Sequence, residues 1–179
     1  MNNKIDQMSS HRSAFRVSLL GIILGLRLVL GFLPSLNFGN QIQIGFGFIG
    51  AALSGILFGP WYALIVSVAA DIISSLLRGD NFFLGFTLSA ALGGLFYGYF
   101  LWRKPRSLGQ IMLAVGLVSL LINLGLNSIW LHIMYDKAIF ALLPIRIFKN
   151  IISFFVNSFV LYYLFNLPSI KHLIDKYQF

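Results

Sequence analysis

Along the 179 residues, apolar positions gather into six long runs instead of alternating with polar ones. They occupy roughly residues 15–33, 42–59, 61–77, 82–101, 108–132 and 143–166. Each run is long enough to cross a hydrocarbon core as a helix, which takes about 17 to 25 residues. The pattern therefore predicts an all-α membrane protein with six transmembrane helices. Turn chemistry punctuates the runs: LPSLNFGNQ after the first, Gly59-Pro60 after the second, RGDN after the third, RKPRS after the fourth and YDKA after the fifth. Gly59-Pro60 leaves almost no loop, which predicts a tight helical hairpin. Pro144 suits the first turn of the sixth helix. A short segment, 1–14, precedes the transmembrane domain 15–166, and a tail, 167–179, follows it.

Composition agrees and narrows the class. With 58% hydrophobic and 10% charged residues, an ordinary soluble domain is excluded. A net charge of +8 would suggest nucleic acid in a soluble chain, but here the cations mostly flank apolar runs and read as topology signals. Lys4, Arg12, Arg16, Arg103, Lys104, Arg106, Lys171 and Lys176 fall on one side. Only Arg78 and Lys137 fall on the other, each near an aspartate, Asp80 or Asp136. Both termini are expected to be cytoplasmic. No basic segment followed by a short apolar stretch and a cleavage site opens the chain, so no removable signal peptide is expected and Met1 is expected to be the mature start. Cysteine is absent and the three histidines are scattered, which points to neither a metal site nor a cofactor. The sequence has no GxxxxGK[ST] loop for nucleotide, no inverted repeat of the kind secondary transporters use, and no nucleophile with a paired base around Ser54. A non-catalytic role is expected.

Three cations remain inside the runs: Arg27, Arg146 and Lys149. Arg27 interrupts GIILGLRLVLGF, residues 21–32, where a charge near the bilayer centre costs roughly 2.5 to 3.5 kcal/mol on insertion scales. Such a residue needs a partner or a ligand. Reading depth at about 1.5 Å per residue places nearly every polar side chain of the spans in the outer half. Asp71 shares a face with Ser67, Ser74 and Ser75, while Asn123, Asn127 and Trp130 form one stripe. Arg146, Lys149, Asn150, Ser153 and Asn157 form another; Thr87, Ser89, Gln41 and Gln43 lie at the same level. The pattern describes a pocket open to the outside with an excess of two positive charges, counting Lys149 as charged. A ligand with two carboxylates would balance it. Arginine suits bidentate carboxylate recognition, Asp71 and the asparagines suit the N–H and C=O groups of a polar ring, and Trp130 could stack on that ring. Alternatively, Arg27 or Arg146 pairs with Asp71 to tie helices together, Lys149 snorkels to the surface, the asparagines bond neighbouring helices, and Trp130 anchors at the interface. Pairing with one aspartate still leaves two of the three cations unbalanced.

The first helix has a second face. Ser18, Gly21 and Gly25 share a narrow stripe, with Arg27 roughly 150° away at about 100° per residue. Small residues at intervals of four permit close helix approach, either within the chain or to another protein. Ala90, Gly94 and Gly98 form a similar run in the fourth span, so spacing alone leaves both readings open.

FGPWYALIVSVAADIISSLL (58–77), FFLGFTLSAALGGLFYGYFL (82–101) and LLPIRIFKNIISFFVNSF (142–159) resemble the folate-specific S components (FolT family) of energy-coupling factor (ECF) transporters. The similarity extends over essentially the whole chain. It implies six transmembrane helices in a compact single bundle, and a subunit of the bacterial cell membrane that captures folate or reduced folates from outside. It also implies docking on a membrane-embedded T subunit (EcfT-like) and two cytoplasmic ATPases, which power a toppling motion. By position in matching segments, the resemblance carries over Arg27, Asp71, Asn127, Arg146 and Asn150. Arg27 and Arg146 are then expected on the glutamate carboxylates, and Asp71 or the asparagine stripe on the pterin edge. Gly21-xxx-Gly25 corresponds to the docking motif, with glycine where the wider family often has alanine. The rival readings are an S component for another anionic vitamin and a structural or assembly membrane protein.

Overall fold

A computed structural model describes residues 2–33, 36–38, 42–79, 82–135 and 139–178. Asp80, Asp136, Lys137 and Gln41 lie outside these residues. The chain runs α1 (Asn2–Phe32), β1 (Leu36–Phe38), β2 (Ile42–Ile44), α2 (Gly47–Arg78), α3 (Leu84–Leu101), α4 (Leu108–Leu117), a π-helical segment (Val118–Leu126), α5 (Asn127–Tyr135), α6 (Ile139–Asn166) and α7 (Pro168–Tyr177). Among the described residues, five stretches are long and apolar enough to cross a membrane: Ala14–Phe32, Gly47–Arg78, Leu84–Leu101, Leu108–Met134 and Pro144–Asn166.

The second of these is two spans. At Gly59 the backbone leaves the helix with φ 81° and ψ −177°, a region open essentially to glycine alone. A straight helix would hold Gly47 and Arg78 roughly 46 Å apart at about 1.5 Å per residue. Yet both reach Gly31: Gly47 packs on its Cα, and the Arg78 guanidinium donates to its carbonyl oxygen. Segments 47–58 and 60–78 are therefore antiparallel arms, and the bundle has six spans. The Gly59-Pro60 hairpin expected from the sequence is present. Gly79 closes the second arm in the left-handed conformation, φ 67°, donating to the Leu76 carbonyl.

Three expectations are corrected. The second span starts at Gly47, because Ile42–Ile44 pairs antiparallel with Leu36–Phe38 as a short hairpin; β-branched residues flanking a turn satisfy their backbone through the ladder instead of a helix. The fifth span runs to Tyr135 and contains the π segment, so it is not a uniform α-helix. The sixth helix begins at Ile139, putting Pro144 inside it and not in its first turn. Beyond the sixth span a further short helix, α7, follows, with Pro168 in its first turn.

Small residues set the packing, since in lipid helix association rests on close van der Waals contact. On α3, a Cβ at Gly98 would strike the Pro60 backbone, and one at Gly94 would strike Ala63 and Ser67. Opposite them, a Cβ at Gly55 would come within 2.7 Å of the Gly98 nitrogen. The α3 helix thus lies against both arms of the hairpin. A buried core of Ala52, Ile56, Leu57, Ile111, Ala114, Leu161 and Phe165 fills the end of the bundle away from the polar residues, and Ile174 of α7 joins it.

Candidate functional site

Arg27 sits between α1 and the hairpin. Its Cα and Cβ rest on Gly50, where an added Cβ would lie 2.6 to 2.9 Å away, so glycine is what lets the first arm approach. From there the guanidinium reaches across to the second arm, its Nη1 donating to the fully buried Ser67 hydroxyl. Asp71 is one turn further along that arm. Its Oδ2 accepts from the Thr87 hydroxyl of α3 at 2.8 Å, which fixes the carboxylate. Arg27 and Asp71 both line a cavity of about 290 Å³, together with Phe48, Phe86, Ser89, Tyr97, Ser119 and others.

A second cavity of about 280 Å³ adjoins it, lined by Gly45, Arg146, Lys149, Asn150 and Ser153. Phe48, Asn123, Asn127 and Asn157 line both. The two are lobes of one chamber with a mostly polar seam, and its size falls in the range usual for small-molecule sites. In the second lobe the Arg146 Nη1 donates to the Ser128 hydroxyl, and Asn150 Nδ2 donates back to the Arg146 carbonyl at 3.0 Å.

The seam holds two unsatisfied groups. The Oδ1 atoms of Asn127 and Asn157 are buried with no hydrogen-bond partner. Leaving a buried acceptor unpaired costs about 1 to 3 kcal/mol. Both belong to residues that line both lobes, so the chamber is suited to a guest with N–H donors along its middle. One lobe pairs a cation with a carboxylate, while the other holds two cations. The chamber is electrically polarised.

Of the eight candidate pocket residues, Arg27, Asp71, Asn123, Asn127, Arg146, Lys149 and Asn150 line the chamber. Trp130 stands behind it: its Nε1 donates to the Ser89 hydroxyl at 3.0 Å and its ring lies 5.9 Å from that of Phe83. Sequence reasoning missed the aromatic walls Phe48, Phe86 and Tyr97, for which no signal exists among the 18 phenylalanines and seven tyrosines. On α1, an added Cβ at Gly21 or Gly25 would meet nothing within 4 Å, and Ser18 is exposed, donating to the Ala14 carbonyl. Among the described residues no three histidines or acidic residues are grouped to hold a metal ion.

Residues 15–165 match the family described as ECF transporter, substrate-specific component. The chain is similar to the folate transporter FolT of Clostridium novyi (strain NT), 42% identical over 122 residues, covering 68% of this chain and 71% of the relative. It is 32% identical over 165 residues to the FolT of Leuconostoc mesenteroides, covering 88% of each chain. Among solved structures it matches a FolT crystallised with folic acid bound, with a TM-score of 0.77 and 34% identity, covering 84% of this chain and 94% of the other.

Proposed function

The chain belongs to the substrate-specific components of ECF transporters, in their FolT group, and from that premise we propose how its chamber takes folate. It is a multi-pass membrane protein that binds folate for import and works with a T subunit and partner ATPases. We infer that Asp71, Asn123, Asn127 and Asn157 read the pterin and its linker, because a pterin edge offers N–H donors to the two orphan Asn carbonyls and to the aspartate. Arg146 and Lys149 then face the two glutamate carboxylates, with Asn150 holding the backbone between them. Arg27 belongs to the pterin end in this arrangement, since Asp71 in the same lobe balances its charge. That assignment departs from the expectation that Arg27 and Arg146 share the tail. Trp130 keeps its lobe in shape through Ser89.

The observation that carries the reading is the polarity of the chamber: one carboxylate at one end, two cations at the other, orphan amide oxygens between. Further parts of the reading rest on it or on family membership. The protein itself is non-catalytic, residues 15–166 form the binding domain, and both termini face the cytoplasm, as the cation distribution favours. Ser18, Gly21 and Gly25 dock on the T subunit; their open surroundings support this, whereas Gly94 and Gly98 are already covered.

Isothermal titration of the purified protein tests the assignment. Saturable one-to-one heat with folate or a reduced folate is the expected result. No heat with any folate, alongside tight binding of a different vitamin, would overturn it.

A further inference from the structure

We propose that the end of the bundle carrying both termini binds the headgroup of an anionic phospholipid. The headgroup is held by Arg103, Lys104 and Arg106 from the turn after α3, together with Lys171 and Lys176 of α7. This site is separate from the folate chamber and does not depend on it.

The two segments are brought together by several contacts. The Arg106 Nη2 pairs with Asp175 of α7 at 2.7 Å, and Asn166 donates to the Arg106 carbonyl. The α7 helix turns its apolar face inward, with Ile174 buried and Ile170 and Leu173 against the core, so Lys171 and Lys176 are left exposed on its two flanks. Its far end is tied down as well: Gln178 Nε2 donates to the Ile56 carbonyl at 2.8 Å, and Tyr177 packs on Phe15 of α1 at 5.3 Å. The helix therefore lies across the base of the hairpin, fixed against the turn that carries the other cations.

Charge and geometry there ask for an anion. The turn 102–107 and the segment 168–178 carry five cations against a single carboxylate, Asp175. Arg106 has a donor left over, since its Nη1 is buried without a partner. Arg103 holds a positive φ of 53°, a conformation non-glycine residues seldom adopt. Its guanidinium lies 4.5 Å above the Trp102 ring, which in turn covers Gly59. The backbone of the turn thus presents Arg103 in a set position.

Depth selects the source of the anion. Trp61, Tyr99 and Tyr163 are exposed around this same end, and aromatic residues of this kind mark the level of lipid headgroups. Phosphate is abundant at that level, attached to acyl chains that the neighbouring apolar surface can accept. Basic clusters beside membrane spans recognise anionic headgroups by the same physics. A topology signal alone requires only that the cations lie on one side; it asks for neither an ordered amphipathic helix nor a guanidinium nitrogen left without an acceptor.

The test uses the full chain in nanodiscs of phosphatidylcholine alone or mixed with phosphatidylglycerol. Lipid retained after detergent extraction is read by native mass spectrometry, and Tm is read in each nanodisc. Selective retention of phosphatidylglycerol and a higher Tm in the mixed nanodisc are expected. R103Q/K104Q and K171Q/K176Q should each lower that retention about thirtyfold while folate titration stays unchanged, which certifies the fold. Arg106 is left intact because it holds Asp175. Equal retention of both lipids by the wild type would overturn the proposal even if a variant failed to fold. So would displacement of the retained lipid by inorganic phosphate, which would make the site one for a free anion, or lipid retention unaffected by either pair of substitutions.

Discussion

Asn127 and Asn157 bring opposite demands of stability and binding to the same atoms. An unpaired buried carbonyl weakens the empty protein, and a ligand N–H relieves it. Replacing Asn157 with leucine should therefore leave Tm of the ligand-free protein unchanged or raised while weakening folate about tenfold or more, from the 1 to 3 kcal/mol such a bond carries. Thermal unfolding and titration of one preparation check both signs. At the other end of the chamber, Arg146→Gln should weaken folate by roughly 2 to 5 kcal/mol if it meets a carboxylate in a desolvated pair. The same substitution should barely affect pteroate, the same molecule without its glutamate. Competition binding with the two ligands measures the difference; equal losses would place Arg146 away from the tail. At this scale the sequence was most legible where a residue was out of place in lipid. Arg27, Asp71 and the asparagines stood out against apolar surroundings, and all of them line the chamber. Phe48, Phe86 and Tyr97 did not, because an aromatic wall of a pocket and an aromatic facing lipid look alike in a membrane sequence.

Two glycine stripes with one spacing meet opposite fates among the elements. Gly94 and Gly98 seat α3 on the hairpin, so Gly98→Leu should destabilise the protein, by about 1 to 3 kcal/mol or more as overpacking costs elsewhere. Gly21 and Gly25 face open space, so Gly25→Leu should leave Tm and folate affinity unchanged and abolish uptake in cells that carry the whole transporter. Unchanged uptake would mean the stripe is not a docking surface. Spacing could not separate these cases, because it records what a helix allows and not what stands opposite. The π segment was equally hidden: Asn123, Asn127 and Trp130 at i, i+4 and i+7 read as one α-helical stripe. The wider turn spreads them, leaving the asparagines in the chamber and Trp130 behind it. Such segments commonly occur at functional sites. Deleting the exposed Leu121 should restore an α-helical register, rotating both asparagines by about 100° relative to α4, and should cost folate affinity far more than Tm.

For the whole molecule, six spans, a group of polar residues toward one end and a covered opposite end follow from where apolar runs begin and end. The hairpin turn was legible because Gly59-Pro60 left no residues for a loop. The β1–β2 ladder and α7 were not, since the first is a few residues within a turn-rich stretch and the second an amphipathic helix too polar to read as a span. What membership in the S-component family adds is the division of labour, with binding here and ATP hydrolysis in the partners. The placement of folate is most directly tested by a density map of the protein with folate bound. The glutamate carboxylates are expected within about 4 Å of Arg146 and Lys149, the distance at which charges pair, with the pterin beside Asp71 and Arg27. A pterin next to Arg146, or a chamber empty of ligand at saturating folate, would contradict this arrangement.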